Sequence, residues 1–347
     1  MKQNTLQFRS RSLPLSLRVK QRVLTVLLLL LLVTLIAMIT SVAYGEYPIP
    51  PLAVIQTVLG LETNSDYAFV INTLRLPRTL VASLVGIALA ISGAIMQGIT
   101  RNPLADPGII GVNAGASLAA VSLIVLFPSV PVGFLPISAF GGALAVSLLI
   151  YFLAWEGGSS PLRLILIGVG IATVIGACTS VITTFGEINS VSQALVWLAG
   201  SVYGRSWEQV FAFLPWLIVF LPLALVKTRQ LNALALGDEI ATGLGCHIEW
   251  QRGWLLLIST ALAGSAVATA GAIGFVGLMA PHMARQLVGA THGGLLPVAG
   301  VMGAMLVVVA DLIGRTLFAP IEIPCGIVTA VIGAPYFVYL LVQQRGK

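Results

Sequence analysis

The sequence predicts an all-α polytopic membrane protein with about ten transmembrane helices. Of its 347 residues, 58% are hydrophobic and only 9% are charged, a balance far outside the range of soluble domains. Uncharged stretches that could cross about 30 Å of hydrocarbon as helices recur along the chain. Each stretch is continuously apolar rather than alternating, which favours helices over the strands of a membrane barrel.

The sequence contains nine segments that each have the length of one membrane span. In chain order they are 23–44, 79–100, two within 107–155, then 164–186, 209–226, 253–274, 290–310 and 323–344. The 107–155 block holds 49 uncharged residues, and the proline-rich run FPSVPVGFLP in its middle divides it into two helices. The apolar segment 274–289 is short and interrupted, and we expect it to be a tenth, partial crossing.

The distribution of lysine and arginine predicts which ends of the spans are cytoplasmic. With a cytoplasmic N-terminus and ten crossings, 14 of the 18 Lys and Arg residues fall on the cytoplasmic side, as the positive-inside rule requires. Omitting 274–289 as a crossing weakens this bias, so both termini are predicted to be cytoplasmic.

The prediction comprises a cytoplasmic tail (1–22) and a transmembrane domain (23–347) with a cytoplasmic loop (227–252). Topology thus explains the basic N-terminus, and no nucleic-acid partner is expected.

Four arginines remain on the predicted outer side: Arg75, Arg78, Arg205 and Arg315. The first two lie in LRLPRTL (74–80), directly before the second span. Arginine retained where the insertion rule disfavours it needs a partner, and an acidic protein surface or an anionic substrate would serve. Interfacial snorkelling beside phospholipid headgroups is the alternative.

An internal repeat relates the second and seventh spans. Residues 84–95 (LVGIALAISGAI) align without gaps to 262–273 (LAGSAVATAGAI), with seven of twelve positions identical. An odd number of crossings separates the two copies, so they are predicted to run in opposite directions. Inverted repeats of this kind are typical of transporters.

The charged residues indicate what kind of transport to expect. All twelve Asp and Glu residues fall in loops or at predicted span ends, which disfavours an ion-coupled carrier because such carriers use ionisable groups inside the membrane. The sequence lacks a Walker-type glycine loop, so any ATP energy must come from another subunit. An ATP-independent channel or carrier, and a membrane enzyme, are the alternatives. Three isolated histidines supply neither a catalytic constellation nor a metal site.

The loop 227–252 is the candidate contact for that other subunit. Its glycines divide it into two short helices rather than a span. Asp238 and Glu239 begin the second helix, where the helix dipole favours negative charge. A solvated loop remains the alternative interpretation.

Five motifs follow one another along the chain: LRLPRTL (74–80), GAIMQGITRNPLADPGIIGVNAGA (93–116), ALGDEIATGLG (235–245), GFVGLMAPHMAR (274–285), and ADLIGR through IPCGIVTAVIGAPYF (310–337). Together they resemble the FecCD family, the permease subunits of type II ATP-binding-cassette importers for ferric siderophores, haem and cobalamin. The resemblance runs from about residue 50 to the C-terminus.

The resemblance implies a transport subunit in the cytoplasmic (inner) membrane of a bacterium that has no catalytic residues and binds no cofactor itself. The implied partners are a second permease subunit, identical or paralogous, two cytoplasmic ATPases that use ATP and Mg, and a periplasmic or lipid-anchored binding protein. A ferric siderophore is the implied substrate, moved by alternating access; cobalamin or haem is the alternative.

The resemblance also assigns roles to individual residues. Arg75, Arg78 and Arg315 match the outer arginines that dock the binding protein. Asn102 and Leu104 in the RNPLADP loop are implied gate residues, with a mere turn as the alternative because Pro103 and Pro107 interrupt a helix. The implied contacts with the ATPase are Leu236, Gly237, Asp238, Glu239, Ala241, Thr242 and Gly243.

Overall fold

The structure, a computed structural model, describes residues 5–9, 16–45, 47–61 and 64–344. Lys2, Arg11, Arg345 and Lys347, which contribute to the predicted charge bias, lie outside these ranges. The α-helices are α1 (Gln21–Ala43), α2 (Pro51–Val58), α3 (Ser65–Phe69), α4 (Leu76–Thr100), α5 (Val112–Leu126), α6 (Leu135–Leu153), α7 (Pro161–Phe185), α8 (Ile188–Leu198), α9 (Trp207–Val226), α10 (Thr228–Ala235), α11 (Asp238–Gly243), α12 (Ile248–Ala270), α13 (Val276–Val288), α14 (His292–Thr316) and α15 (Cys325–Gln344).

Short non-α turns connect some of these helices. The π-helical turn Val70–Arg75 continues α3 into α4, and the 3₁₀ turns Pro107–Ile110 and Val132–Phe134 precede α5 and α6. The chain therefore breaks its helix at the proline-rich run between α5 and α6, as the sequence predicts.

Two short strands precede the helices. β1 (Thr5–Arg9) pairs antiparallel with β2 (Ser16–Lys20), and in this register Thr5 lies opposite Lys20. The sequence of both segments alternates apolar and polar residues, the pattern of a strand. The all-α prediction thus describes the chain from α1 onward, and the preceding tail carries a small hairpin.

Eight helical segments in the described part of the chain are long and apolar enough to span a membrane, so the prediction of a multi-pass membrane protein is confirmed. They comprise α1, the continuous run Ser65–Thr100, α6, α7, α9, α12, α14 and α15. The two other predicted spans are helical but shorter, with 15 residues in α5 and 13 in α13. The count of ten crossings, the orientation of the repeat and the side of the termini stay predictions.

Helix α4 forms the centre of the core, where α12, α13 and α14 surround it. Small residues permit this close packing, because a glycine lets two helix backbones touch. Gly86 faces the carbonyl of Gly303 on α14, and Gly93 faces the carbonyl of Gly277 on α13. A hydroxyl pair, Ser92 with Ser259 at 2.7 Å, joins α4 to α12.

Helix α7 is covered far less by the rest of the chain. In the most apolar 18-residue stretch of α7, only 11% of the residues are buried, whereas 83% are buried in the corresponding stretch of Ser65–Thr100, which contains α4. Its Gly170 and Gly176 have open space where a Cβ atom would lie. The hydroxyls of Thr173 and Thr179 donate to carbonyls one turn earlier in the same helix. The outer face of α7 is therefore free for lipid or for another subunit, with its threonine hydroxyls already satisfied.

Replacing Gly93 with alanine tests the central packing. The added methyl group overlaps the carbonyl oxygen of Gly277, so α4 and α13 must separate, and we expect a loss of about 1–3 kcal/mol of stability or more. Gly141→Ala on α6 is the matched control, because nothing lies within 4 Å of its added Cβ; it should be neutral or stabilising by up to about 1 kcal/mol. Thermal unfolding of the purified protein in detergent is the measurement, and equal transitions for the two variants would contradict the packing.

Candidate functional site

Arg75 caps the end of α1. Its Nη1 donates to the carbonyls of Val42 and Ala43 at 2.9 and 3.1 Å, and its Nη2 donates to the carbonyl of Tyr47 at 2.7 Å. The last carbonyls of a helix lack intrahelical partners and carry partial negative charge, which a cation stabilises. Arg75 is buried in this position, so its guanidinium joins α1 to the start of α4.

Arg78 holds two carboxylates. Its Nε and Nη2 donate to the buried Asp311 of α14 at 3.0 and 2.8 Å, a forked geometry suited to a carboxylate. Its Nη2 also lies 3.0 Å from Glu322, whose side chain is 35% exposed. The guanidinium stands 5.5 Å from the ring centre of Tyr203. Asp311 is thus the buried partner and Glu322 the partner that solvent can reach.

Arg315 completes the group, which we call the outer arginine cluster: Arg75, Arg78 and Arg315 with Asp311 and Glu322. Nη2 of Arg315 donates to the carbonyl and the hydroxyl of Ser41 on α1. Its Nε lies 3.9 Å from Asp311, one helical turn earlier. The structure therefore brings the three predicted docking arginines together and gives each of them partners within the chain.

The sequence argument missed these internal partners. It placed all carboxylates in loops or at span ends, whereas α14 continues to Thr316 and contains Asp311. The pairing of Asp311 with Arg315 could have been predicted from the sequence, because residues four positions apart lie on the same face of a helix. No signal linked Arg78 to Asp311, since 233 residues separate them.

At the other end of α4, the candidate coupling segment (227–252) is anchored to the core. Leu231 and Leu234 of α10 are buried, and the backbone N–H of His292 on α14 donates to Asn232 at 2.9 Å. Two short helices, α10 and α11, form here as the sequence predicts. Ala241, a predicted ATPase contact, is fully buried and packs α11 inward.

Asp238 connects α11 to two other parts of the chain. Its Oδ1 lies 2.9 Å from Arg252 of α12 and 3.4 Å from Arg101, which follows α4. Arg252 is only 1% exposed, and it also donates to the hydroxyl of Ser159 at 2.9 Å and to Glu249 at 3.3 Å. Such a buried guanidinium needs these acceptors. Asp238 therefore has partners inside the chain, while its side chain stays 38% exposed, and its predicted contact with the ATPase stays a prediction.

The exposed residues of the coupling segment include several apolar side chains. Of the predicted contacts, Leu236, Glu239, Thr242 and Gly243 are exposed. The prediction omitted Ile240 and Leu244, which are 53% and 66% exposed. Ile240 and Leu244 lie four residues apart, a spacing that places side chains on one face of a helix. Leu236 precedes α11 and is separated from it by Gly237, whose φ is 113°. The spacing of Ile240 and Leu244 is visible in the sequence.

The candidate gate loop (101–107) is a fixed turn. Helix α4 ends at Thr100, and Arg101 takes the left-handed conformation with φ of 54°. The side chain of Asn102 accepts a hydrogen bond from the backbone N–H of Leu104 at 2.9 Å. Leu104 packs against Leu278 and Met279 of α13. The turn is confirmed, and a gating role for Asn102 and Leu104 stays a prediction.

Comparison with known proteins gives consistent similarities over nearly the whole chain. The model of the FecCD transport family matches residues 30–343. The iron(3+)-hydroxamate import system permease protein FhuG of Bacillus subtilis is 42% identical over 312 residues, which cover 88% of this chain and 93% of that protein. The Fe(3+) dicitrate transport system permease protein FecD of Escherichia coli is 42% identical over 308 residues, 88% of this chain and 94% of its own length.

A solved structure has the same fold. It is described as a metal-chelate type ABC transporter in an inward-facing conformation, and it superimposes with a TM-score of 0.83 at 32% identity. The match covers 92% of this chain and 99% of that one.

Replacing Asp238 with alanine tests its internal role. The change leaves the buried Arg252 with one carboxylate fewer, and an unsatisfied buried polar group costs about 1–3 kcal/mol. Glu239→Ala is the matched control, because the adjacent carboxylate is exposed and should change stability by less than about 0.5 kcal/mol. Thermal unfolding of the purified variants measures both effects. A transition for Asp238→Ala that equals the control would show that Asp238 is not structural.

Proposed function

Because the chain belongs to the FecCD transport family, we propose that it is the permease subunit of an ATP-binding-cassette importer that carries a ferric siderophore across the cytoplasmic membrane of a bacterium. The observation that carries this proposal is similarity over almost the full length to two permeases named for ferric chelates. Members of this family are transport subunits and not enzymes. Haem or cobalamin is the alternative cargo.

The two candidate surfaces lie at opposite ends of α4, which supports placing them on opposite sides of a membrane. The outer arginine cluster lies at the start of α4 and Arg101 lies directly after its end. The 25 residues of α4 span roughly 37 Å at 1.5 Å per residue, which exceeds the hydrocarbon thickness of a bilayer. We place the coupling segment in the cytoplasm and the cluster outside. Ten crossings with both termini cytoplasmic are part of this proposal, as is the division into a tail (1–22) and a permease domain (23–347).

We place the binding protein on the outer arginine cluster. Arg75 and Arg315 are held by backbone and hydroxyl oxygens of the α1 end, so their first contribution is to shape the docking surface. Arg78 is the residue best placed to accept a carboxylate from outside, because its partner Glu322 is partly exposed. Docking would then exchange Glu322 for an acidic side chain of the binding protein.

We place the partner ATPase on the exposed apolar side chains of Leu236, Ile240 and Leu244. Neighbouring exposed apolar side chains mark sites where another protein binds. ATP-driven closure of the ATPase would move α11, and Asp238 links α11 to Arg101 of the gate loop. The gate residues Asn102 and Leu104 follow directly. This path connects ATP use to alternating access, and the chelate crosses without chemical change.

The second permease subunit would contact the uncovered face of α7. Gly170 and Gly176 leave room for close approach of another helix. The threonine hydroxyls of α7 bond to their own helix, so this face presents methyl groups and glycine backbone. Two such subunits would enclose a route with neutral walls, suited to a large chelate.

ATPase stimulation identifies the cargo. The chain, reconstituted in liposomes with its ATPase and binding protein, is tested with ferric siderophores, haem and cobalamin. We expect one ferric siderophore to stimulate ATP hydrolysis by several-fold. Stimulation by haem or cobalamin alone would assign the alternative cargo, and no stimulation by any ligand, with a complex that hydrolyses ATP, would refute the proposal.

The variant Glu322→Gln tests docking without removing an arginine. Loss of this carboxylate leaves Arg78 with Asp311 as its one carboxylate partner and removes a negative charge that would face an acidic partner. Since exposed ion pairs contribute about 0.2–1 kcal/mol, the affinity for the binding protein should rise by up to about fivefold. Glu156→Gln, which removes another exposed ion pair, with Arg163 on the predicted cytoplasmic side, is the control and should change nothing. An unchanged or weaker affinity of Glu322→Gln in a binding titration would argue against exchange at Arg78.

A further inference from the structure

Arg205 differs from the other three outer arginines. It is half-buried in the loop that leads into α9, and its Nε is buried without a hydrogen-bond acceptor in the described part of the chain. Nε of Arg315 also lacks an acceptor, but Nη2 of that guanidinium is bonded, whereas Arg205 has no ion pair or side-chain hydrogen bond in the described residues. Arg75, Arg78 and Arg315 are each held by carboxylate, carbonyl or hydroxyl oxygens. Burial lowers the pKa of Arg205, since no neighbouring carboxylate offsets the desolvation of the charge. A guanidinium in this position lacks an anion.

Arg205 lines a cavity of about 460 Å³. The end of α5, the connection between α5 and α6, helix α8 and the loop before α9 form its walls. The volume lies in the range of small-molecule sites in proteins. Trp197 contributes an apolar wall. The polar lining residues besides Glu187 and Arg205 are Asn189, Ser190, Gln193, Ser201 and Tyr203.

The single carboxylate in this lining is already engaged. Glu187 accepts hydrogen bonds from Asn189 at 2.8 Å and from Ser190 at 3.0 Å. Glu187 and Arg205 form no ion pair within 4.0 Å. In the described part of the chain, Arg78 and Arg252 do form ion pairs with carboxylates. The cavity thus offers one guanidinium that forms no ion pair, with amide and hydroxyl groups beside it, while the negative charge of Glu187 is held by its own hydrogen bonds.

The cavity adjoins the outer arginine cluster. Tyr203 lines the cavity, and its ring also faces the guanidinium of Arg78. A ligand released at the docking surface would therefore meet the mouth of this cavity.

We propose that this cavity is an entry subsite for anionic ferric chelates, in which the guanidinium of Arg205 pairs with a carboxylate of the ligand. The inference rests on the proposed function and extends it to a class of cargo. A polycarboxylate chelate satisfies Arg205 by a charge-assisted hydrogen bond, while the amide of Gln193 and the hydroxyl of Tyr203 can donate to its remaining oxygens. A neutral ferric trihydroxamate gains nothing from the charge.

The test compares two cargoes in two variants. Uptake of radioactive iron as ferric dicitrate and as a neutral ferric trihydroxamate is measured in proteoliposomes that contain the full complex, for wild type, Arg205→Gln and Arg205→Lys. Loss of one charged hydrogen bond is worth about 1.5–3 kcal/mol, so the half-saturating concentration of ferric dicitrate should rise by about 10- to 100-fold in Arg205→Gln. Arg205→Lys keeps the charge and should retain part of the affinity, and trihydroxamate uptake should not change.

Several results would overturn the subsite. One is wild-type uptake restricted to the neutral chelate; another is an equal change for both cargoes in Arg205→Gln. Binding of ferric dicitrate to the purified permease, measured by titration calorimetry, separates this inference from the proposed function. If ferric dicitrate binds and Arg205→Gln abolishes the binding, the subsite stands even when no cargo is transported. If wild type transports ferric dicitrate and Arg205→Gln binds it unchanged, the subsite fails and the importer stands.

A phospholipid phosphate is the other source of an anion for Arg205. Uptake in vesicles of phosphatidylcholine alone is therefore compared with uptake in vesicles that contain phosphatidylglycerol. An Arg205→Gln defect seen only with the anionic lipid would assign the guanidinium to a headgroup and overturn the chelate subsite. A defect specific for ferric dicitrate in both lipids supports it.

Discussion

Two carboxylates, each shared by two arginines, fix the two ends of α4. At its N-terminal end Asp311 binds Arg78 and Arg315, and at its C-terminal end Asp238 binds Arg101 and Arg252. Charged groups at the edge of a membrane or in a protein interior persist when their charges are compensated. Here the compensation joins segments distant in sequence, so the same contacts that make the charges tolerable also position the proposed docking surface and the candidate coupling segment.

Much of the architecture could be predicted because it depends on local sequence. Continuous apolar runs gave the helices, prolines gave the break between α5 and α6 and the turn after α4, and glycines gave the two short helices of the coupling segment. Side-chain partners could not be predicted in the same way. Arg78 was recognised as unusual, but Asp311 lies 233 residues away, and only the packing of α4 on α14 brings the two together. Asp238 was assigned to an external partner because Arg252 could not be seen beside it.

The internal repeat illustrates how one residue type can meet two requirements. Gly93 lies inside α4, where its missing side chain allows contact with the backbone of Gly277. Its aligned counterpart Gly271 ends α12 with φ of 75° and lies against the carbonyl of Trp197. Both positions need glycine because another backbone approaches closely, although only the second also needs the left-handed conformation. The identity of the two glycines therefore reflects close packing in both copies, with different local backbones.

The two ion pairs of Asp238 differ in length and in exposure to solvent, and this difference predicts which of them opens first. Arg101 and Asp238 are 37% and 38% exposed and 3.4 Å apart, whereas Arg252 is almost fully enclosed and 2.9 Å away. Water and salt weaken the first pair far more than the second. If the proposed partner displaces α11, we expect the ion pair with Arg101 to open before the ion pair with Arg252. The exposed pair would then limit how far a displacement of α11 is passed to the loop after α4.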